Sequence, residues 1–264
     1  MVPNSLTLIV PALNEEKNVG AVCADMARVA EQILPDYEIL VVDDASQDKT
    51  SEVVRTIQKE NPKVRLVRNE TTQGLGGAYR TGLREARCQY AMLIPGDNQI
   101  VAESMAGIFK QVGKTDIVVC YIKNQEVRPP WRHGISLLFT ASLNVLFNLN
   151  LKYYNGTTVL EAEVARQVVP PTSGYAYMAV MLIHLIKGGF SYTQEGFTLQ
   201  ERPYGRTKAF HLKNILSVLK TVLRLYWNVM ILKRVKSVIR PSSLAAVEPK
   251  YEKANALKGA FLNE

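Results

Sequence analysis

The sequence predicts an α/β fold built on a largely parallel, doubly wound sheet. Over the first 120 residues, short apolar runs alternate with amphipathic stretches, the pattern of strands joined by crossover helices. Two of these runs also stop abruptly at clustered acids and amides. Leu6-Thr7-Leu8-Ile9-Val10 enters Pro11-Ala12-Leu13-Asn14-Glu15-Glu16, and Tyr37-Glu38-Ile39-Leu40-Val41-Val42 enters Asp43-Asp44-Ala45-Ser46-Gln47-Asp48. The carboxyl ends of buried strands face the ligand crevice of an open α/β sheet. Asp and Ser are also ordinary helix N-caps, so one such junction is equally well explained by capping. Two in succession point to a nucleotide or sugar site.

In chain order, strands are expected near residues 5–10, 37–42, 64–68, 89–94 and 116–121, with helices near 16–33, 48–60, 75–87 and 102–112. Pro35 and Pro62 mark helix-to-strand turns, because proline cannot continue a helix. After Cys120 the alternation stops. Arg128-Pro129-Pro130-Trp131-Arg132 is a stiff loop, and the uncharged stretch 134–151 carries Asn144, Asn148 and Asn150, which argue against a membrane span. A helix is expected from Gly174 to Lys187 and a strand from Phe190 to Leu199. The expected units are an α/β domain over 1–208, with 134–151 as an interface helix, a basic helix over 209–240 and a flexible tail over 241–264.

The formal charge of +8 is unevenly placed: ten Lys and Arg and no acid lie between Arg202 and Val247, leaving −2 for the rest. An arm of one sign needs an anionic surface. Along 209–240, Leu212, Ile215, Leu216, Leu219, Val222, Leu223, Tyr226 and Met230 share one helical face, and Lys213, Ser217, Lys220, Arg224 and Asn228 the other. That composition suits a helix lying in a lipid interface, with Tyr226 and Trp227 at headgroup level. A core-packed helix with solvated lysines has the same spacing, but its polar face ordinarily mixes both signs. The continuous apolar face also disfavours nucleic acid. Cys23, Cys88 and Cys120 are too few and too scattered for a zinc site or a disulfide framework, and are expected as buried thiols in a reducing compartment. Pro3 and Asn4 lead straight into the first strand with no signal pattern.

Pro11-Ala12-Leu13-Asn14-Glu15, Asp43-Asp44-Ala45-Ser46-Gln47-Asp48-Lys49-Thr50, Gly74-Leu75-Gly76-Gly77-Ala78 and Gly96-Asp97-Asn98-Gln99, in this order, resemble the family 2 glycosyltransferases of GT-A fold. Arg202-Pro203-Tyr204-Gly205-Arg206-Thr207-Lys208 is similar to the signature that follows the catalytic domain in dolichyl-phosphate mannose synthases. The resemblance runs from about residue 5 to residue 225. It implies inverting transfer of a sugar, mannose from GDP-mannose or glucose from UDP-glucose, to a polyprenyl phosphate. Asp44 would accept from the N–H of the base, Pro11, Leu13, Asn14 and Glu15 would wall it, and Asp43 would support the loop or the ribose. Gly74 and Gly76 would let backbone approach the donor, since glycine lacks a Cβ.

The family places Asp-x-Asp at the end of the fourth strand to hold Mg²⁺ or Mn²⁺; here Pro95-Gly96-Asp97 stands there and the first acid is missing. Asp97 and Gln99 remain as metal ligands, enough for an ion that usually takes one or two protein carboxylates beside substrate phosphates. The acceptor is already an anion, so no catalytic base is needed, and Asp97, Arg132 and Arg202 are the expected catalytic residues. Cations suit the phosphates. Arg132 with Ser136 one turn later resembles the family's acceptor-phosphate pair, and Arg202 and Lys208 the loop that closes over the site. Arg128 is a further candidate, and either it or Lys123 replaces the arginine that usually follows the fifth strand. The lipid acceptor implies a peripheral enzyme on the cytoplasmic face of a membrane, on an anionic surface or held by an anchoring subunit. A soluble or polysaccharide acceptor would call for a Glu-Asp base pair, which the sequence after residue 120 lacks. A catalytically silent nucleotide- or lipid-binding subunit is supported only by the missing acid.

Overall fold

The computed structural model describes residues 2–170, 176–201, 212–236 and 238–239. Seven strands form one sheet in the order β3-β2-β1-β4-β6-β5-β7. The strands are β1 (Leu6–Ala12), β2 (Tyr37–Asp43), β3 (Val64–Arg68), β4 (Tyr90–Leu93), β5 (Ile117–Ile122), β6 (Thr158–Glu161) and β7 (Tyr192–Phe197). β6 runs antiparallel to both neighbours, and every other pairing is parallel. All strands but β6 therefore end at one edge. The chain winds from β1 out to β3, then returns to place β4 on the other side of β1. That reversal opens a crevice at the carboxyl ends of β1 and β4.

β2 is buried at every position, as a central parallel strand covered on both faces must be. Helices α1 (Val19–Ile33), α2 (Thr50–Glu60) and the short α4 (Ala106–Phe109) cover one face, over Leu6, Leu8, Val10, Met92 and Val118. Helices α3 (Gly74–Glu85), α5 (Pro130–Phe147), α6 (Ala162–Val168) and α7 (Tyr177–Lys187) cover the other, over Ile9, Leu40, Val42, Leu93 and Val119. Gly82 lets α3 lie against β1, since a Cβ there would sit 2.3 Å from Ile9 Cγ2. The three cysteines are free and buried, as expected.

The structure departs from the expected elements in four places. α1 begins at Val19 rather than near 16, because Asn18 and Val19 both donate to the Glu15 carbonyl in a tight turn. The 102–112 stretch is a 3₁₀ turn (Ala102–Met105) followed by α4. β6, a strand not expected from the sequence, is inserted between β4 and β5 and ends at Glu161. Four residues are too short to carry a periodic signal.

The fourth departure concerns the basic helix. α8 (Leu212–Tyr226) and a π-helical turn (Trp227–Ile231) end well before Arg240. Lys233 adopts φ +52°, and the chain turns back along α6 and α7. There Lys236 N donates to His184 Nδ1 (3.3 Å), Lys236 Nζ to the Gln167 carbonyl (2.7 Å) and Ile239 N to Gln167 Oε1 (2.9 Å). Val222, Leu225 and Val229 are buried in the second core. These three side chains of α8 and the turn after it meet its own domain, while Lys220, Leu223, Arg224 and Trp227 face outward. The expected domain boundary at 208 and the tail over 241–264 fall outside the described residues.

A second exposed apolar surface lies on α5, in addition to Leu223, Trp227, Ile231 and Leu232 on α8 and the turn after it. Trp131, Ile135, Leu138, Ser142 and Val145 follow one another at helical spacing, and Leu138 and Val145 are 70% and 82% exposed. Thr140, Leu143 and Phe147 face the core. The three asparagines close this helix rather than interrupt it. Asn148 ends it at φ +48°, and the Asn144 side chain bonds both the N–H and the carbonyl of Leu151. Among the described residues no helix is long and apolar enough to cross a membrane.

Candidate active site at the carboxyl edge

The loops after β1 and β2 are stitched together by reciprocal hydrogen bonds. Asn14, at φ +58°, donates its N–H to Ser46 Oγ (2.9 Å), while its Oδ1 accepts from Gln47 N (2.8 Å). Glu15 N donates to Thr50 Oγ1 (2.9 Å) and Glu16 N to Asp48 Oδ2 (3.1 Å), and Glu16 Oε2 accepts from Lys49 N (2.9 Å). Pro11, Leu13 and Glu15 are half-buried at the mouth of the crevice. Asp43 is fully buried; Arg68 Nη1 lies 2.6 Å from its Oδ2, Ser46 N donates to its Oδ1 at 2.8 Å, and the Ser51 hydroxyl also donates. Burial pushes the Asp43 carboxyl up, but the Ser46 and Ser51 hydrogen bonds and the Arg68 guanidinium outweigh it and hold it below the ordinary carboxylate range.

The Asp44 carboxylate accepts from Asn69 Nδ2 (2.7 Å), Gln73 N (2.8 Å) and Gly74 N (2.9 Å), and the residue is 3% exposed. The acid expected to meet a base N–H thus folds the 69–74 turn against the end of β2. The glycines of α3 likewise answer to packing within the chain. Gly74 sits at φ +71°, Gly76 is buried, and a Cβ on Gly77 would lie 2.4 Å from Gln73 Cβ.

Across the switch point, the turn after β4 is pinned on two sides. Ile94 N donates to the Ile9 carbonyl (2.8 Å), and a Cβ on Gly96 would lie 2.8 Å from the Pro11 carbonyl oxygen. The middle position of the Asp-x-Asp pattern thus has no room for a side chain on this backbone, and Pro95 stands where the family carries its first acid. Asn98 turns the chain at φ +54° and leaves Asp97 and Gln99 half-buried. Gln200 holds the turn from the other side: its N–H donates to the Gln99 carbonyl (2.8 Å) and its Nε2 to the Asn98 carbonyl (3.0 Å). Asn124 pairs with both backbone groups of Leu199 (2.7 and 2.8 Å). Arg202 and Lys208, which follow Gln200 in the chain, lie outside the described residues.

One carboxylate and one amide oxygen fit a divalent ion completed by donor phosphates. Among the described residues no three His, Cys, Asp or Glu gather as a self-sufficient metal site.

The cations sit beyond the ends of β5 and β6. Arg128 follows a 3₁₀ turn (Gln125–Val127) and precedes Pro129, and its Nη1 donates to the Tyr153 hydroxyl (3.2 Å). Arg132 lies in the first turn of α5, with Ser136 one turn further along; both are half-buried. The Lys123 stem crosses Gly196 of the edge strand β7, where a Cβ would lie 2.5 Å from its Cε. Asn155-Gly156-Thr157 enters β6 between β4 and β5, with the Thr157 hydroxyl bonded to the Leu93 carbonyl. A depression of about 660 Å³ at the opposite edge is lined by Asp36, Lys63, Glu38 and Arg65, which already pair with one another.

The carboxyl edge thus gathers 11–16, 43–48, 69–74, 95–99 and 124–132. Arg68, Asn69, Asn124, Tyr153 and Gln200 support it without having been expected. A buried Asp requires a cation or donors, so the second acid-rich strand end signalled that a partner exists without naming Arg68.

An α/β sheet with this switch point and edge has the architecture of the GT-A glycosyltransferases. Glucosyl-3-phosphoglycerate synthase from Mycobacterium tuberculosis, solved with Mn²⁺, UDP and glucosyl-3-phosphoglycerate, superposes with a TM-score of 0.60 at 16% identity, over 90% of this chain and 81% of that one. The family model for glycosyl transferase family 2 matches residues 7–167, and the chain belongs to that family. It is 27% identical over 229 residues to an uncharacterized protein of Methanocaldococcus jannaschii, covering 82% of this chain and 96% of that protein. It is 25% identical over 211 residues to an undecaprenyl-phosphate mannosyltransferase of Micrococcus luteus, covering 76% and 85%. It spans less than half the length of the dolichyl-phosphate β-glucosyltransferases of Trichomonas vaginalis and Dictyostelium discoideum that it also matches.

Proposed function

We propose that this glycosyltransferase moves mannose or glucose from a nucleotide diphosphate sugar to a polyprenyl phosphate at the cytoplasmic surface of a membrane. The observation that carries this reading is the course of α5. Its first turn brings Arg132 to the carboxyl edge, and its exposed stripe from Trp131 to Val145 is apolar and uncharged. A phosphate-binding end continuous with a lipid-compatible face is what an acceptor with an anionic head and a hydrocarbon tail requires. Lys220, Arg224, Lys233 and Arg234 are exposed on α8 and the turn after it, and suit an anionic surface or an anchoring subunit.

In this reading the stitched loops after β1 and β2 hold the nucleotide. Pro11, Leu13, Asn14 and Glu15 wall the base, Asp43 keeps the second loop in place, and Asp44 with Gly74 and Gly76 shapes the turn beside it. A phosphate oxygen of the acceptor attacks the anomeric carbon. The bond from that carbon to the donor's diphosphate breaks with inversion, and its electron pair leaves with the nucleoside diphosphate. Arg128, Arg132 and Ser136 orient the acceptor phosphate, while Arg202 and Lys208 meet the charge that builds on the leaving group. Mg²⁺ or Mn²⁺, held by Asp97, Gln99 and the donor phosphates, would supply further neutralisation of that charge.

The test is transfer of labelled sugar from a panel of nucleotide sugars into butanol-extractable polyprenyl phosphate, with Mg²⁺, Mn²⁺ or EDTA. Lipid label from one donor, lost in EDTA, is the expected result. Nucleotide binding without lipid label from any donor would overturn the acceptor assignment in favour of a soluble acceptor or a silent subunit.

A further inference from the structure

Tyr153 has no place in the proposed chemistry, yet its contacts point at a group that does. The residue is 9% exposed and belongs to the first core cluster. Its hydroxyl accepts from Arg128 Nη1 at 3.2 Å, and the Arg128 guanidinium carbon lies 5.9 Å from the ring centroid. Space for the ring comes from a glycine: a Cβ on Gly156 would lie 2.8 Å from Tyr153 Cδ1 and 2.7 Å from the Cys120 carbonyl oxygen. Arg128 is constrained through its backbone too. Its N–H donates to the Gln125 carbonyl at 3.0 Å, and Pro129 confines it to extended conformations, observed at φ −95° and ψ 149°.

A solvent-facing arginine ordinarily loses considerable rotamer freedom when it grips a ligand. Here the tyrosine hydroxyl takes up one of five N–H donors and the ring supports the plane, leaving the remaining donors to form a fork toward an oxyanion. Acids do not serve this purpose, because a carboxylate partner would cancel the charge that a phosphate needs. A neutral hydroxyl orients the guanidinium and leaves its charge intact.

We propose that Tyr153 is a positioning residue that holds Arg128 ready for a phosphate monoester, with Gly156 providing the space for its ring. The proposal rests on the transferase reading for the identity of the phosphate, and it chooses Arg128 over Lys123 as the cation beyond β5.

Calorimetric titration of the full chain with dodecyl phosphate below its micellar concentration tests this without any transfer assay. Tyr153→Phe keeps the ring and removes the hydroxyl. It is expected to weaken binding about fivefold, the equivalent of one hydrogen bond, while the melting temperature stays within about two degrees. Arg128→Ala is expected to weaken binding further, and adding Tyr153→Phe to it should cost nothing more. Equal losses from Tyr153→Phe in the presence and absence of Arg128 would overturn the proposal, as would no loss or no binding by the parent chain. In steady-state transfer, Tyr153→Phe should raise KM for the lipid phosphate and leave KM for the donor unchanged. Coupled dodecyl phosphate binding in a protein that labels no lipid would break the acceptor assignment and leave the Tyr153–Arg128 pair standing.

Discussion

The two halves of the sheet are finished in opposite ways. On the β1–β2–β3 side, acids and amides are consumed by the protein itself: Asp43 by Arg68 and two serines, Asp44 by the 69–74 turn, Asn14 and Glu16 by the facing loop. On the β4–β6–β5 side, Asp97, Gln99, Arg128 and Arg132 stand half-buried on turns held through backbone hydrogen bonds, with Tyr153 against Arg128. One half is a rigid cradle whose polar groups hold it in shape. The other sets charged groups at a half-buried edge with an apolar helix beside them.

That contrast says which substitutions should cost activity and which stability. The largest expected effect is on chemistry: Asp97→Ala should reduce transfer about a thousandfold through lost electrostatic stabilisation with an unchanged melting curve. A parallel loss of stability would place Asp97 with the cradle instead. Asp44→Ala should do the reverse. It strands two backbone N–H groups and the Asn69 amide and should cost about 3 kcal/mol in urea denaturation. Gly96→Ala sets a Cβ against the Pro11 carbonyl and should be destabilising by about 2 kcal/mol. If it instead left stability unchanged, the backbone at the switch point would be softer than its contacts imply.

Smaller effects probe the outer surfaces. Leu138→Glu with Val145→Glu should weaken binding to anionic vesicles about tenfold, from the apolar area lost. Replacing Lys220, Arg224, Lys233 and Arg234 with Gln should weaken it less, and mainly at low salt. The smallest effect is on pH dependence. Asp43 has a folded pKa below its unfolded value, so its contribution to stability is present above about pH 4 and is lost as pH falls through the folded value. Asp43→Asn should flatten that part of the acid-unfolding curve.

Much of this architecture was legible. Strands buried on both faces announce themselves as apolar runs, and the order of the motifs placed 11–15, 43–50 and 95–99 at one edge. What escaped was pairing at a distance. No local pattern says that Arg68 reaches Asp43 over 25 residues, that Gln200 clamps Asn98 over 102, or that Gly96 lies under a carbonyl of another strand. β6 was lost because four residues carry too little period. The faces of the two helices expected at an interface were only partly legible for a related reason. Spacing shows that a helix has an apolar face, but only the tertiary arrangement shows that Val222, Leu225 and Val229 of α8 and the turn after it meet the second core while Leu223 stays exposed and α5 turns its stripe outward.

Under the proposed function, the stripe on α5 would also set the directions of traffic. From Trp131 to Val145 it runs about 21 Å at 1.5 Å per residue, long enough to lie flat on a bilayer with its arginine-bearing end at the crevice. A protein resting on that helix would carry its reaction centre at the rim of its footprint. Lipid phosphate would arrive sideways within the leaflet while nucleotide sugar entered from the aqueous flank. Neither route would cross the other, so each substrate could be replaced while its partner stayed bound, and the enzyme could keep its place on the membrane from one turnover to the next.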